Sequence, residues 1–193
     1  MVALFKPGYV YIDVGARNYS SSIGSWFRKR YPKQNKNFEI YAIEAGKAFH
    51  EEYATKKSLT VLPYAAWVRN ETLFFEISRE PRRKSEEKGI GMGRVQTVQS
   101  SSNFVSDFHK IQGFDFAAWL KNAVSMRDVV VVKMGVEGAE FHLIPRLVET
   151  DAICLIDELF LECHFNRWQK TYTQCLDLFS SLRKSGVLVH QWW

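Results

Sequence analysis

The chain has 193 residues, 46% hydrophobic and 24% charged, with a net charge of +5. That length accommodates one well-buried core and is short for two, no apolar run approaches a bilayer span, and the opening stretch MVALFKPGY lacks the regions of a signal peptide. The positive surplus gathers only in residues 28–36 and 79–88, where Glu80, Glu86 and Glu87 dilute it, so nucleic acid is not the expected partner.

Residues 9–14, YVYIDV, are a β-branched and aromatic run that stops at Gly15 and read as the first strand. Ser20, Ser21 and Ser22 can cap a following helix whose face is Ile23, Trp26, Phe27 and Tyr31, and Pro32 ends it. FEIYAI, residues 38–43, is a second strand closing on Glu44, followed by a short helix around Phe49 and Tyr53 and a third strand at 59–62. Residues 64–68 and 72–77 flank the turn signal Arg69-Asn70-Glu71 and can pair as a hairpin at the sheet edge. The stretch 78–113 is charged, then Gly-rich, then Ser-rich, and reads as a lid or substrate loop, or as a flexible, disordered one.

A helix from Phe114 leads into DVVVVKMGVEGAE, residues 128–140. Four consecutive valines predict a strand buried on both faces, as in a parallel sheet. Ala139, Leu143, Leu147 and Val148 continue as a helical stripe that Pro145 kinks or restarts. Residues 152–163 read as another strand, then Tyr172, Cys175, Leu176, Phe179 and Leu182 as an amphipathic helix ended by Gly186, and residues 187–193 as a last strand. Cys154, Cys163 and Cys175 have neither metal-ligand spacing nor an even-numbered disulfide framework, and read as buried free thiols. Strands alternating with helices predict a single α/β domain over 1–193, with a mostly parallel central sheet and helices on both faces.

In such a sheet, ligands bind beyond the carboxyl ends of the strands. Gly15 allows a tight turn there, although Arg17 and Tyr19 stand where a dinucleotide fingerprint wants further glycines. Glu44 is suited to accept both hydrogen bonds of a ribose diol, or is a surface glutamate at a strand end. Lys133, inside a valine-rich strand, needs a partner or an opening to offset desolvation. Glu137 and Glu140 lie at a helix start, where negative charge is favoured. Glu162, His164, Asn166 and Arg167 follow the next strand, with His164 either a general base or a hydrogen-bonded structural histidine. No metal-ligand spacing is present.

Taken together, these pieces resemble the FkbM-type family of S-adenosylmethionine-dependent methyltransferases, over nearly the whole chain. YIDVGA, residues 11–16, looks like the cofactor loop; YAIEA, 41–45, like the ribose-binding strand end; LPYAAW, 62–67, like the alanine turn near the adenine. VVKMGVEGAEFHLI, 131–144, is similar to the most distinctive motif. The resemblance implies a class I Rossmann-like fold and S-adenosyl-L-methionine as cofactor, held by Asp13, Gly15, Ala16, Arg17, Glu44, Ala45, Ala65, Ala66 and Gly135. It implies methyl transfer to oxygen on a small-molecule or glycan acceptor, with His164 or Glu137 as the expected base; Lys133 is suited by its charge either to steady a carboxylate or to act as a charged donor to substrate. Gly135 stands where the family pattern has aspartate, Gly46 where a plant branch carries an acidic residue, and Tyr19 where the loop has a later glycine. Gly135 keeps a second expectation open, a binding or scaffold module without turnover, and a third is a nicotinamide-dependent oxidoreductase. The ending CLIDELFLECHFNRW looks like that plant branch, whose full-length members carry an N-terminal membrane anchor. As given, the chain is expected to be soluble, make no membrane contact and lie in the cytoplasm; a longer anchored form would lie in a Golgi-type endomembrane.

Overall fold

The computed structural model describes residues 7–33, 35–77, 93–96, 107–165 and 170–192. Six strands build the central sheet: β1 (Tyr9–Val14), β2 (Phe38–Ile43), β3 (Thr60–Leu62), and, later in the chain, Val129–Met134, Glu158–Leu161 and Leu188–Gln191. Three further strands and a fourth, β4 (Ala65–Trp67), β5 (Glu71–Ile77), β6 (Gly93–Gln96) and β7 (Asp107–Asp115), form a second sheet, so the later central strands are β8, β9 and β10. Helices α1 (Arg28–Arg30, entered through a π-helical turn at Ile23–Phe27), α2 (His50–Ala54), α3 (Phe116–Ala123), α4 (Glu140–Glu149) and α5 (Tyr172–Lys184) complete the fold.

The central sheet has the order β10-β9-β8-β1-β2-β3 and all its pairings are parallel. Alternation along the strands explains why both faces are covered. Val10, Ile12 and Val14 of β1, with Val130, Val132 and Met134 of β8, pack with residues of α3, α4 and α5. Tyr11 and Val131 face the other way, into a core with Ile23, Phe27, Tyr31 and Tyr53. Tyr11 and Phe27 stack there at 3.7 Å between ring centroids. The chain runs outward from β1 through β2 to β3 and from β8 through β9 to β10 on the other side. The crevice beyond β1 and β8 is therefore the topological switch point, where open α/β sheets take ligands.

The second sheet corrects two expectations. Strands β4 and β5 do not form a hairpin: β7 lies between them, parallel to β4 and antiparallel to β5. Nine residues of β7 give β5 a longer partner than the three of β4, and β4 is drawn into the core, with Trp67 5.2 Å from the His142 ring on α4. Likewise 78–113 is not one structureless loop, because β6 and most of β7 fall within it. Its polar residues His109 and Lys110 are exposed, as on a strand with one wet face, which is why composition concealed it. The rest of the lid or loop expectation lies outside the described residues.

Smaller corrections follow the same logic of packing over local pattern. Residues 152–163 are not one strand: Ala152–Leu155 form a 3₁₀ turn that buries Ala152 and Ile153, and β9 covers only Glu158–Leu161. Helix α4 runs through Pro145 without restarting, held by buried Leu143, Ile144 and Leu147. The serines supply no side-chain cap; Ser22 is buried and donates to Asp13, and Ser21 donates to the Ala16 carbonyl. Cys163, just past β9, and Cys175 on α5 are joined by a disulfide, their Cα atoms 6.1 Å apart, while Cys154 is a free, exposed thiol. Among the described residues no helix is long and apolar enough to cross a membrane.

Candidate functional site at the strand switch point

The loops leaving β1 and β8 meet at two glycines. Gly15 has φ +76°, and a β-carbon there would lie 2.1 Å from the Gly135 carbonyl oxygen, so only glycine permits the approach. Backbone bonds lock the arrangement: Gly15 and Ala16 donate to the Ile43 carbonyl at 3.0 and 3.1 Å, and Gly135 donates to Val14 at 3.0 Å. Arg17 itself adopts a left-handed φ of 52°, the geometry a glycine would take. Tyr19, the other substituted position, packs its ring against Gly24 and edge-on to Tyr53.

Glu44 holds this loop. Its Oε2 accepts from the Arg17 N–H at 2.7 Å and its Oε1 from the Gly46 N–H at 2.5 Å. Burial pushes its carboxyl up, against the pull of those two bonds. Each oxygen keeps a second lone pair, so the carboxylate retains acceptor capacity for a diol. Ala45 is half-buried against the core. Ala65 and Ala66 are buried within β4, three and four residues beyond Leu62, whose carbonyl accepts from the Glu44 N–H at 3.1 Å.

Lys133 finds its partner across the sheet register. It pairs with Asp13 on β1, Nζ to Oδ1 3.5 Å, and Nζ also donates to the Gly15 carbonyl at 3.2 Å. Asp13 has no exposed surface; burial raises its carboxyl pKa, and Lys133 opposes the rise. Asp13 and Lys133 therefore brace the glycine loop from behind.

Beyond β8 and β9, one imidazole gathers three carboxylates. His164 Nδ1 lies 3.2 Å from Glu140 Oε1, and Nε2 lies 3.4 Å from Glu137 and 3.3 Å from Glu162. Glu140, fully buried at the start of α4, also accepts from the backbone N–H of His164 at 2.7 Å and of Gly138 at 2.8 Å. It thus staples the exit of β9 to α4. Burial alone would lower the His164 pKa, but Glu137, Glu140 and Glu162 outweigh it and raise it to about 11. At neutral pH His164 is an imidazolium, the conjugate acid of the expected base, and proton acceptance passes to its carboxylate neighbours. Glu137 sits in a left-handed conformation, φ 48°, a strained backbone at the edge of the crevice.

Glu162 and Ser22 are the residues of the site that sequence reasoning undervalued. Glu162 gave a weak signal, a carboxylate one residue past a strand end; Ser22, bonded to Asp13 nine residues away, gave none. Asn166 and Arg167 lie outside the described residues. Among the described residues no group of three His, Cys, Asp or Glu is arranged to hold a metal ion.

A family model described as a domain of unknown function (DUF7870) matches residues 6–76 and 78–193. The chain belongs to that family. No curated protein and no solved structure matches the chain.

Proposed function

We propose that the chain is an S-adenosylmethionine-dependent methyltransferase acting on an oxygen of a small-molecule or glycan acceptor. The observation that carries this reading is Glu44, at the end of β2, whose Oε2 accepts from the Arg17 N–H of the glycine loop and whose Oε1 accepts from Gly46 just beyond it, beside the switch point. Gly15, Ala16 and Arg17 would line the cofactor with Glu44, and the cofactor would supply an electrophilic methyl group on a positively charged sulfur. The charges suit such a centre: among the described residues, the carboxylates of Asp13, Glu137, Glu140 and Glu162 gather around Lys133 and His164. Glu137 or Glu162 is left to take the acceptor proton.

Calorimetric titration with S-adenosylmethionine and S-adenosylhomocysteine tests the reading. Stoichiometric binding is expected, weakened about tenfold or more in Glu44→Gln through loss of a charged acceptor. A native chain that binds neither ligand rules it out.

One observation favours a second reading. The all-parallel order, with the first three strands on one side and the last three on the other, is also that of dinucleotide-binding folds. A nicotinamide cofactor would, however, bring a pyrophosphate toward this carboxylate-rich crevice and past Arg17 and Tyr19. Competition of NAD against S-adenosylhomocysteine decides between them. The Cys163–Cys175 bridge supports an oxidising endomembrane compartment over the cytoplasm.

A further inference from the structure

Gly135 is where the crevice departs from the motif it resembles, and the atoms that a side chain there would meet belong to Glu162, one residue past β9, and to Lys133 of β8. The backbone N–H of Glu162 donates to the Met134 carbonyl at 2.9 Å, which pins Glu162 alongside Gly135. A β-carbon built on Gly135 would lie 2.8 Å from Glu162 Oε2 and 2.9 Å from Lys133 Nζ. The Glu162 carboxylate therefore stands where a side chain at 135 would project, next to the lysine that such a side chain would meet. Its other oxygen is 3.3 Å from the buried His164 Nε2.

Exposure separates the three carboxylates around His164. Glu140 is fully buried and Glu137 is 14% exposed, whereas Glu162 keeps 35%. Glu140 also holds two backbone N–H groups, and Glu162 is the most exposed of the three to the crevice.

We propose that Glu162 supplies, from the end of β9, the crevice carboxylate that position 135 does not carry, and that it selects a cationic sulfonium over a neutral thioether. The inference rests on the methyltransferase reading and extends it: glycine at 135 moves the negative charge to a neighbouring strand instead of deleting it. The exchange is reversible in principle. Gly135 has no left-handed φ, and the atoms its β-carbon would meet are the ends of flexible side chains, so Gly135→Asp can be accommodated once Glu162 yields.

The test compares S-adenosylmethionine with S-adenosylhomocysteine by calorimetry in the native chain, in Glu162→Gln and in Gly135→Asp/Glu162→Gln. Removing one charge from a partly exposed site is expected to weaken the sulfonium ligand about tenfold more than the thioether, and the double variant to recover most of that loss. Equal weakening of both ligands, or a double variant no better than the single one, overturns the assignment while leaving the methyltransferase reading intact. Binding of neither ligand to the native chain overturns both. NMR titration of His164 gives a check that needs no ligand: Glu162→Gln lowers the imidazole pKa in a folded chain, and an unmoved pKa refutes the pairing.

Discussion

Gly15 and Gly135, on loops 120 residues apart in the chain, stand so close that a β-carbon on the first would lie 2.1 Å from the carbonyl oxygen of the second. That contact joins the ends of β1 and β8 and sets the floor of the crevice. It also explains why Lys133 can reach the Gly15 carbonyl while paired with Asp13.

Substituting Gly15→Ala forces a side chain into a left-handed backbone and against a fixed carbonyl. A loss of more than about 3 kcal/mol in denaturant unfolding is expected, and under the proposed function whatever folds loses S-adenosylmethionine binding. An alanine variant of native stability would refute the contact.

Lys133→Met should destabilise by about 3–5 kcal/mol, because it leaves the buried Asp13 carboxylate without its cation. Adding Asp13→Asn removes the stranded charge, so the double variant should unfold later than Lys133→Met alone. Urea melts of the two single variants and the double variant measure the coupling.

The His164 imidazolium makes stability depend on pH. Its folded-state pKa of about 11 lies above the ordinary imidazole value of about 6.5, so the native state binds the extra proton between them. The stabilisation is complete below about pH 6.5 and is lost as pH rises toward 11, at about 1.4 kcal/mol per pH unit. Thermal melts at pH 6, 8 and 10 should fall more steeply in the native chain than in His164→Gln.

Non-reducing peptide mapping should recover Cys163 linked to Cys175, with Cys154 alone open to alkylation without reductant. The bridge closes a short loop, and its removal in Cys163→Ser/Cys175→Ser should cost about 3 kcal/mol. Ready alkylation of Cys163 in the unreduced native chain would contradict the pairing.

Strong periodic segments were legible from residues alone. β1 and β2 begin and end where YVYIDV and FEIYAI do, β8 follows the valine run, and α5 stops at Lys184, two residues before Gly186, whose φ of 86° turns the chain away. These elements bury enough apolar surface that local pattern and tertiary packing agree. β7 was not legible, because a strand with a wet face and polar neighbours carries little periodic apolar signal. The disulfide was equally hidden, since it depends on the exit of β9 lying beside α5.

By itself, the sequence determined the alternation of strands and helices, the parallel core, and the placement of Gly15, Glu44, Lys133 and Glu137 at strand ends, because these follow from side-chain period and turn chemistry. Only the tertiary structure decided what those residues face. It gave Lys133 to Asp13, turned His164 into an imidazolium among carboxylates, and set Glu162 against Gly135. Such pairings depend on which strand lies beside which and how far a side chain reaches across, and neither quantity is local along the chain.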